Sequence, residues 1–251
     1  MLNGQKVISI IPARANSKGL PGKNYKHIMG KSLIDWTINA SGFSNIIDVT
    51  AVSTNCKKVK TRVACNNLYA SCNHKISNES GLKFKLYDID RPEELCTDES
   101  PTEPCLIHAL DYMEKEHGMT FGYVVLLQPT SPFRRHGMID DCLSKMVQFG
   151  HDSCMTVSSH TPFFWTRKDG TAIPNYEPNN RPRRQDIPDE DIMYHDNGNV
   201  YAVEVDKLRS MGRIGDNPLL YETTQSESMQ IDTEDDFNIL EAIARRNGGF
   251  Y

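Results

Sequence analysis

The chain has 251 residues, 38% of them hydrophobic and 24% charged, with a formal net charge of −5. That is enough sequence to bury a core without staples, and too acidic a balance for a general nucleic-acid binder, which leaves room for a local basic pocket that takes a small anion. No apolar run approaches a membrane span, and no signal-peptide core precedes the first strand, so a cytoplasmic protein with no membrane and no nucleic-acid partner is expected.

The first strand is the apolar run at residues 7–11. It enters a loop, PARANSKGLPGKN, that holds Arg14, Lys18 and Lys23 with Gly19 and Gly22 between them. Helical periodicity follows over residues 32–41, then a strand at 46–53 and a polar helix. Residues 66–81 read as a polar loop or surface insertion, and 82–87 as a further strand. Pro101 opens a helix to about Glu116, since proline is tolerated in the first turn. Tyr123 to Leu127 is a strongly apolar strand, residues 136–149 a helix and 154–158 a strand. This alternation predicts a parallel sheet covered on both faces, with ligands bound beyond the carboxyl ends of its strands. Residues 161–196 break the rhythm and are expected to form a protruding arm, such as a hairpin. A strand resumes at 199–205. Near the end, Thr233 is a candidate N-cap, with Asp236 three residues on, for a helix over 237–246.

The seven cysteines include no CxxC pair and are expected to be reduced thiols. Cys72-Asn73-His74 comes nearest to a metal cluster, without a second half.

The opening loop has its own chemistry. Its glycines allow close backbone approach, successive amides can form an anion nest, Arg14 can grip a phosphate bidentately, and lysines act as point charges. Together these suit a polyphosphate. Two residues separate Gly19 from Gly22, so this is not a Walker A loop, and it is not a G-x-G-x-x-G turn either. The alternative is a solvated glycine-rich turn.

At these residues the chain resembles the CMP-sialic acid synthetase family of cytidylyltransferases, which activate nonulosonic acids. The opening loop with GKSLIDWTINA after it, VSTN, RPEELCTDESPT, LLQPTSPFR, RRQDIP, NGNVY and IDTEDDF are similar to the family's blocks, in order. The resemblance implies a Rossmann-like nucleotidyltransferase fold of GT-A-like type: an α/β three-layer sandwich with a mostly parallel sheet. One cytidylyltransferase domain would span 1–251, with a protruding dimerisation arm at about 161–196. It implies a homodimer whose partners in the reaction are CTP and a nine-carbon 2-keto sugar acid. The anomeric hydroxyl would attack the α-phosphate, giving a CMP-sugar and pyrophosphate.

Carried over, Arg14 and Lys23 would hold the triphosphate, with Lys18 an additional phosphate ligand or a solvated charge. Asn24 would contact the nucleotide near the ribose or α-phosphate. Arg91, Ser100 and Thr102 would read cytosine and ribose; Arg91 could instead form a surface ion pair with Glu93 or Glu94. Gln128, Thr130, Ser131 and Arg134 would face the sugar acid, although the two prolines of that segment also make a capped turn. Arg184 would reach the partner's sugar site. Asp232 would be the carboxylate for Mg²⁺ or Mn²⁺ and, with Arg14 and Lys23, catalytic; the alternative is charge at a helix N-terminus.

The pattern departs at Gln230, where many members carry a second carboxylate, and at Asn55, which is read as capping the next helix. It departs again at Phe163-Phe164-Trp165, where some members carry a lysine. These changes bear on the identity of the acid. Other readings are CTP activation of 3-deoxy-octulosonate or a phosphonate, and a non-catalytic CTP-binding homologue.

Overall fold

The computed structural model describes residues 1–15, 19–73, 85–161 and 163–250. Lys18 and His74 lie outside them, as do residues 74–84, which hold half of the insertion expected at 66–81 and the start of the strand expected at 82–87; the other half, 66–73, is not a loop but the end of a helix that begins at Lys57.

In chain order the elements are β1 (Val7–Pro12), β2 (His27–Ile28), β3 (Lys31–Ser32), α1 (Leu33–Gly42), β4 (Val49–Thr54), α2 (Lys57–Asn73), β5 (Lys85–Asp90), α3 (Thr102–His117), β6 (Tyr123–Leu127), α4 (Met138–Gln148), β7 (Ser153–His160), β8 (Trp165–Lys168), β9 (Thr171–Pro174), β10 (Met193–Glu204), α5 (Val205–Met211), β11 (Pro218–Glu222) and α6 (Glu234–Asn247). Seven strands make one sheet in the order β11-β7-β10-β6-β1-β4-β5. Only β10 runs against its neighbours, β6 and β7; the other pairings are parallel.

Why β1, β4 and β6 form the middle follows from their side chains. Every residue of β4 and β6 is buried, as are five of the six in β1, and strands covered on both faces read as unbroken apolar runs. Alternation splits their side chains between two cores. Val7 and Ile11 pack with Ile34, Ile38, Val59 and Met138 under α1, α2 and α4. Ile8 and Ile10 pack with Leu106, Leu110, Met113 and Leu208 under α3 and α5. Each such side chain contributes about 1.5–3 kcal/mol by leaving water. The result is the three layers expected. A third cluster docks α6 on the outside, with Phe237 and Leu240 meeting Trp36 and Phe250.

Helix α1 starts at a capping box. The Asp35 backbone N–H donates to Ser32 Oγ, and the Ser32 backbone N–H donates to Asp35 Oδ2 at 3.1 Å. The same carboxylate accepts from Arg62 and from Asn66 Nδ2 of α2. Burial pushes Asp35 up, but the bonds from Arg62, Ser32 and Asn66 outweigh it and hold the carboxyl below its usual value of 3.8. A depressed carboxyl stabilises the fold above its unfolded pKa, and that stability is lost as pH falls through the folded value. Asp35→Asn should therefore cost about 1–2 kcal/mol at neutral pH, discounted because Arg62 is partly exposed. The gap from the parent should close below pH about 4. Urea denaturation at the two pH values reads it.

The arm is shorter than expected. β7 runs on to His160, and β10 begins at Met193, paired with it, so residues 193–196 already belong to the sheet. Beyond His160, β8 and β9 form a hairpin across Asp169 and Gly170. Both have positive φ, 50° and 80°, as a two-residue turn of this hand requires. Three single-turn 3-10 helices follow, and Arg181 stacks on Phe163 at 3.9 Å. Asn55 does not cap α2. Its Oδ1 accepts from Ala15 N at 2.9 Å, and Nδ2 donates to Glu93, so it ties the opening loop to the chain after β5. The strand resuming at 199–205 starts six residues earlier, and Asn197-Gly198 forms a bulge within β10 rather than a turn. No described helix is long and apolar enough to cross a membrane.

Candidate active site

The chain passes from β1 to β4 and β5 on one side, then returns to β6 on the other side of β1. Loops leaving β1 and β6 therefore diverge, and a crevice opens between them at the carboxyl edge, where ligands of open α/β sheets bind. A cavity of about 530 Å³ lies here, lined from the ends of β1, β5 and β6, the start of α3, and Gln230 and Asp232 before α6.

Two cations stand on its wall, each held by a carboxylate. Arg14 Nη1 donates to Thr97 O at 2.6 Å, and Nη2 pairs with Asp98 Oδ1 at 2.6 Å. Lys23 Nζ donates to Ile231 O and to Asp232 Oδ1, both at 3.2 Å. Asn24 is buried, and its Nδ2 donates to Arg14 O at 3.0 Å, which ties the two cation-bearing stretches together. Gly19 and Gly22 serve different ends. Gly22 takes φ 70° before the Lys23 turn. Gly19 lies against the segment before α6, where a Cβ would come to 2.4 Å from the Asp232 carbonyl oxygen.

Arg91 leaves β5 and is 8% exposed. It makes no pair with Glu93 or Glu94: Nε donates to Ser53 Oγ at 3.2 Å and Nη2 to Ser53 O at 2.7 Å. Beside it, Ser100 Oγ donates to Glu94 O at 2.8 Å, and Thr102 begins α3. Both line the cavity.

Across from these, Gln128 and Thr130 line the β6 side. Ser131 and Arg134 do not. They are fully buried, and the expectation that they face a ligand is corrected by their partners. Arg134 Nε and Nη2 donate to Asn199 O at 3.1 and 2.8 Å, and Nη2 also donates to Gln128 O at 2.7 Å. Ser131 Oγ donates to Asn197 O at 3.5 Å. Both side chains thus hold the Gln128–Thr130 turn to the bulge of β10. The Ile231 N–H donates to Thr130 O at 2.8 Å, joining that turn to the segment carrying Asp232. The Gly198 backbone packs against the Gln128 and Gln230 side chains, where a Cβ would come within 3.0 Å of both. Arg184 is exposed on the arm and is not among the cavity-lining residues.

The capping box at Thr233 is present. Asp236 Oδ2 accepts from the Thr233 hydroxyl and from the backbone N–H groups of Thr233 and Asp232. These bonds, the Thr233 hydroxyl's first, outweigh burial and hold the Asp236 carboxyl below its usual range. Asp236 therefore builds the helix start, which leaves the largely exposed Asp232 carboxylate to the cavity. At the far side of β10, burial, then the bond to Asp196, pushes the Tyr201 hydroxyl up, so it stays a proton donor to Asp196 Oδ1 at 2.7 Å.

Sequence reasoning missed Asp98 and Ser53. Asp98 is one of four acids in a ten-residue stretch with no periodicity, and only its pairing with Arg14 distinguishes it. Ser53 reads as an ordinary strand residue.

The cytidylyltransferase family profile matches residues 8–84. The chain is 29% identical over 238 residues to an N-acylneuraminate cytidylyltransferase of Streptococcus agalactiae, covering 92% of this chain and 52% of that protein. It is 28% identical over 249 residues to a CMP-N,N'-diacetyllegionaminic acid synthase of Legionella pneumophila, covering 96% and 97%. The chain thus spans about half the length of the first relative and nearly all of the second. Among solved structures it is similar to CMP:2-keto-3-deoxy-manno-octonic acid synthetase in complex with CTP, with a TM-score of 0.65, 16% identity, and 96% and 99% of the two chains covered. It is also similar to a 4-diphosphocytidyl-2C-methyl-D-erythritol synthase from Anaerococcus prevotii, with a TM-score of 0.60, 12% identity, and 97% and 100% covered. The fold is that of the Rossmann-like nucleotidyltransferases.

Proposed function

From its likeness to the CMP-sialic acid synthetases, which runs along almost the whole chain, we propose that this protein is a CTP-dependent cytidylyltransferase that activates a nonulosonic acid. The observation that carries this reading is the cavity itself: Arg14 and Lys23 on one wall, Arg91 at one end and Gln128 with Thr130 opposite. The cations take the triphosphate, exchanging Asp98 and Asp232 for phosphate oxygens. Arg91 faces the base. The Gln128 amide and Thr130 hydroxyl face the acid. The anomeric oxygen forms a bond to the α-phosphorus, the bond to the β-phosphate oxygen breaks, and pyrophosphate leaves toward Arg14 and Lys23. The hydroxyl proton passes to solvent. Positioning and charge neutralisation carry most of such a transfer.

A magnesium or manganese ion fits this donor set only together with the nucleotide. Asp232 and the Gln230 amide offer hard oxygens, but no group of three or more His, Cys, Asp or Glu side chains that could hold a metal occurs among the described residues. Mg²⁺ is commonly bound through one or two carboxylates plus substrate phosphates. When bound, the ion supplies positive charge at the α-phosphate. Asp232 would hold it, released from Lys23. The exposed arm with Arg184 would complete the acid site in a second copy, giving a cytoplasmic homodimer; light scattering of wild type and Arg184→Ala, with KM for the acid, tests that part.

The test of the reaction is pyrophosphate release with Mg²⁺, crossing CTP, UTP, ATP and GTP against nonulosonic and octulosonic acids. Release with CTP and one nonulosonate is expected. Release with an octulosonate alone would replace the substrate, and CTP binding with no release from any acid would overturn catalysis. Gly19→Ala should lower the rate about 100-fold and lower Tm as well, because its Cβ would displace the Asp232 backbone carbonyl and with it the carboxylate beside Lys23.

A further inference from the structure

Arg91 is a guanidinium inside the protein with no carboxylate among the described residues pairing with it. Buried charges ordinarily carry a partner. Here two of the three nitrogens are spent on one residue, Ser53, the penultimate position of β4 and fully buried. Ser53 O takes Nη2 at 2.7 Å, and Ser53 Oγ takes Nε at 3.2 Å. The same hydroxyl oxygen accepts from Cys105 Sγ, on the first turn of α3, at 3.3 Å. The Arg91 N–H also donates to Thr54 O at 3.1 Å, so backbone and side chain are both fixed to the end of β4. Nη1 makes none of these bonds, and the residue lines the cavity.

We propose that Ser53 is a positioning residue for nucleobase choice: it locks the plane of the Arg91 fork so that the Nη1 donors meet a base edge carrying adjacent acceptors. Cytosine offers such an edge, with O2 and the unprotonated N3 side by side. Uracil places an N–H at N3, which would face the donors. A free arginine could swing away from that clash; one pinned at Nε and Nη2 cannot. Base selection in this cavity is then a property of three residues, Arg91 as the contact and Ser53 with Cys105 behind it. The inference rests on reading the cavity as a CTP site.

The test is a double-mutant cycle read by calorimetric nucleotide affinity and by KM and kcat for CTP and UTP. Ser53→Ala should raise Kd and KM for CTP about tenfold, lower kcat little, and narrow the CTP/UTP ratio. Ser53→Thr, which keeps the hydroxyl, should keep the ratio. In an Arg91→Lys background, Ser53→Ala should add nothing, because the residue acts through the fork. An equal further loss in that background, or an unchanged CTP/UTP ratio, overturns the inference while leaving the CTP site standing. A wild-type chain that binds no CTP overturns the site reading and the inference with it.

Discussion

Lys23→Ala and Arg14→Ala should each lower pyrophosphate release by about 100- to 1,000-fold, the scale of losing one preorganised group that meets charge developing in a transition state. The fold should survive both. Each side chain reaches into the cavity, and its partners there are a carbonyl and a carboxylate that solvent can satisfy. The two substitutions should differ in kind. Lys23 is a point charge, so Lys23→Arg should restore part of the rate. Arg14 uses two nitrogens of a planar fork at 2.6 Å each, and Arg14→Lys should recover less. Steady-state rates with a thermal melt of each variant decide the matter; full activity in both alanine variants would remove the loop from the mechanism.

Arg134→Met should act the other way, on stability first. The arginine is 1% exposed and satisfies the carbonyls of Gln128 and Asn199. Methionine fills similar space but leaves Asn199 O without its guanidinium donors, at a cost of about 1–3 kcal/mol, while Gln128 O keeps the Ser131 N–H at 3.1 Å. For a chain of this size that lowers Tm by roughly 2–12 °C. Activity should fall as well, because the Gln128 turn is no longer held against β10. An unchanged Tm together with a large rise in KM for the acid would return Arg134 to the substrate side of the turn.

That reassignment shows where the sequence stops being legible. The segment from Gln128 to Arg134 has residue types that suit a hydroxylated acid equally well throughout. Burial alone separates Gln128 and Thr130, which line the cavity, from Ser131 and Arg134, which hold it in shape. The central strands were readable because solvent touches neither face, so each appears as an apolar run. The Thr233 start was readable because a capping box is a local device of four residues. β11 was not, since it begins with a proline and lies at the sheet edge with Leu220 and Glu222 exposed. α5 was hidden for another reason: only Leu208 of its seven residues is buried, too little for a periodic signal. Arg14, Lys23 and Arg91 were legible as a set only through the spacing of whole blocks, and their partners Asp98 and Ser53 lie inside two of those blocks, where nothing in their residue type marks them as partners.

In the seven-stranded sheet β10 is the one strand running against the rest, and its direction has a consequence for how this surface can change. Because it is reversed, it passes the end of β6 with Val200 opposite Leu127, and the residues before that point, not its last ones, run on past the rim of the crevice along β7. The arm is inserted between the end of β7 and that beginning, and its two stems, His160 and Met193, are already paired. A short turn could join them without breaking the ladder, and closing a longer or shorter loop there changes its entropy only slowly with length. The segment is a cassette mounted on a closed frame. Its length and side chains can be rewritten beside the crevice while every buried residue of the sheet keeps its place, so related chains can part company at this rim long before they do so in their cores.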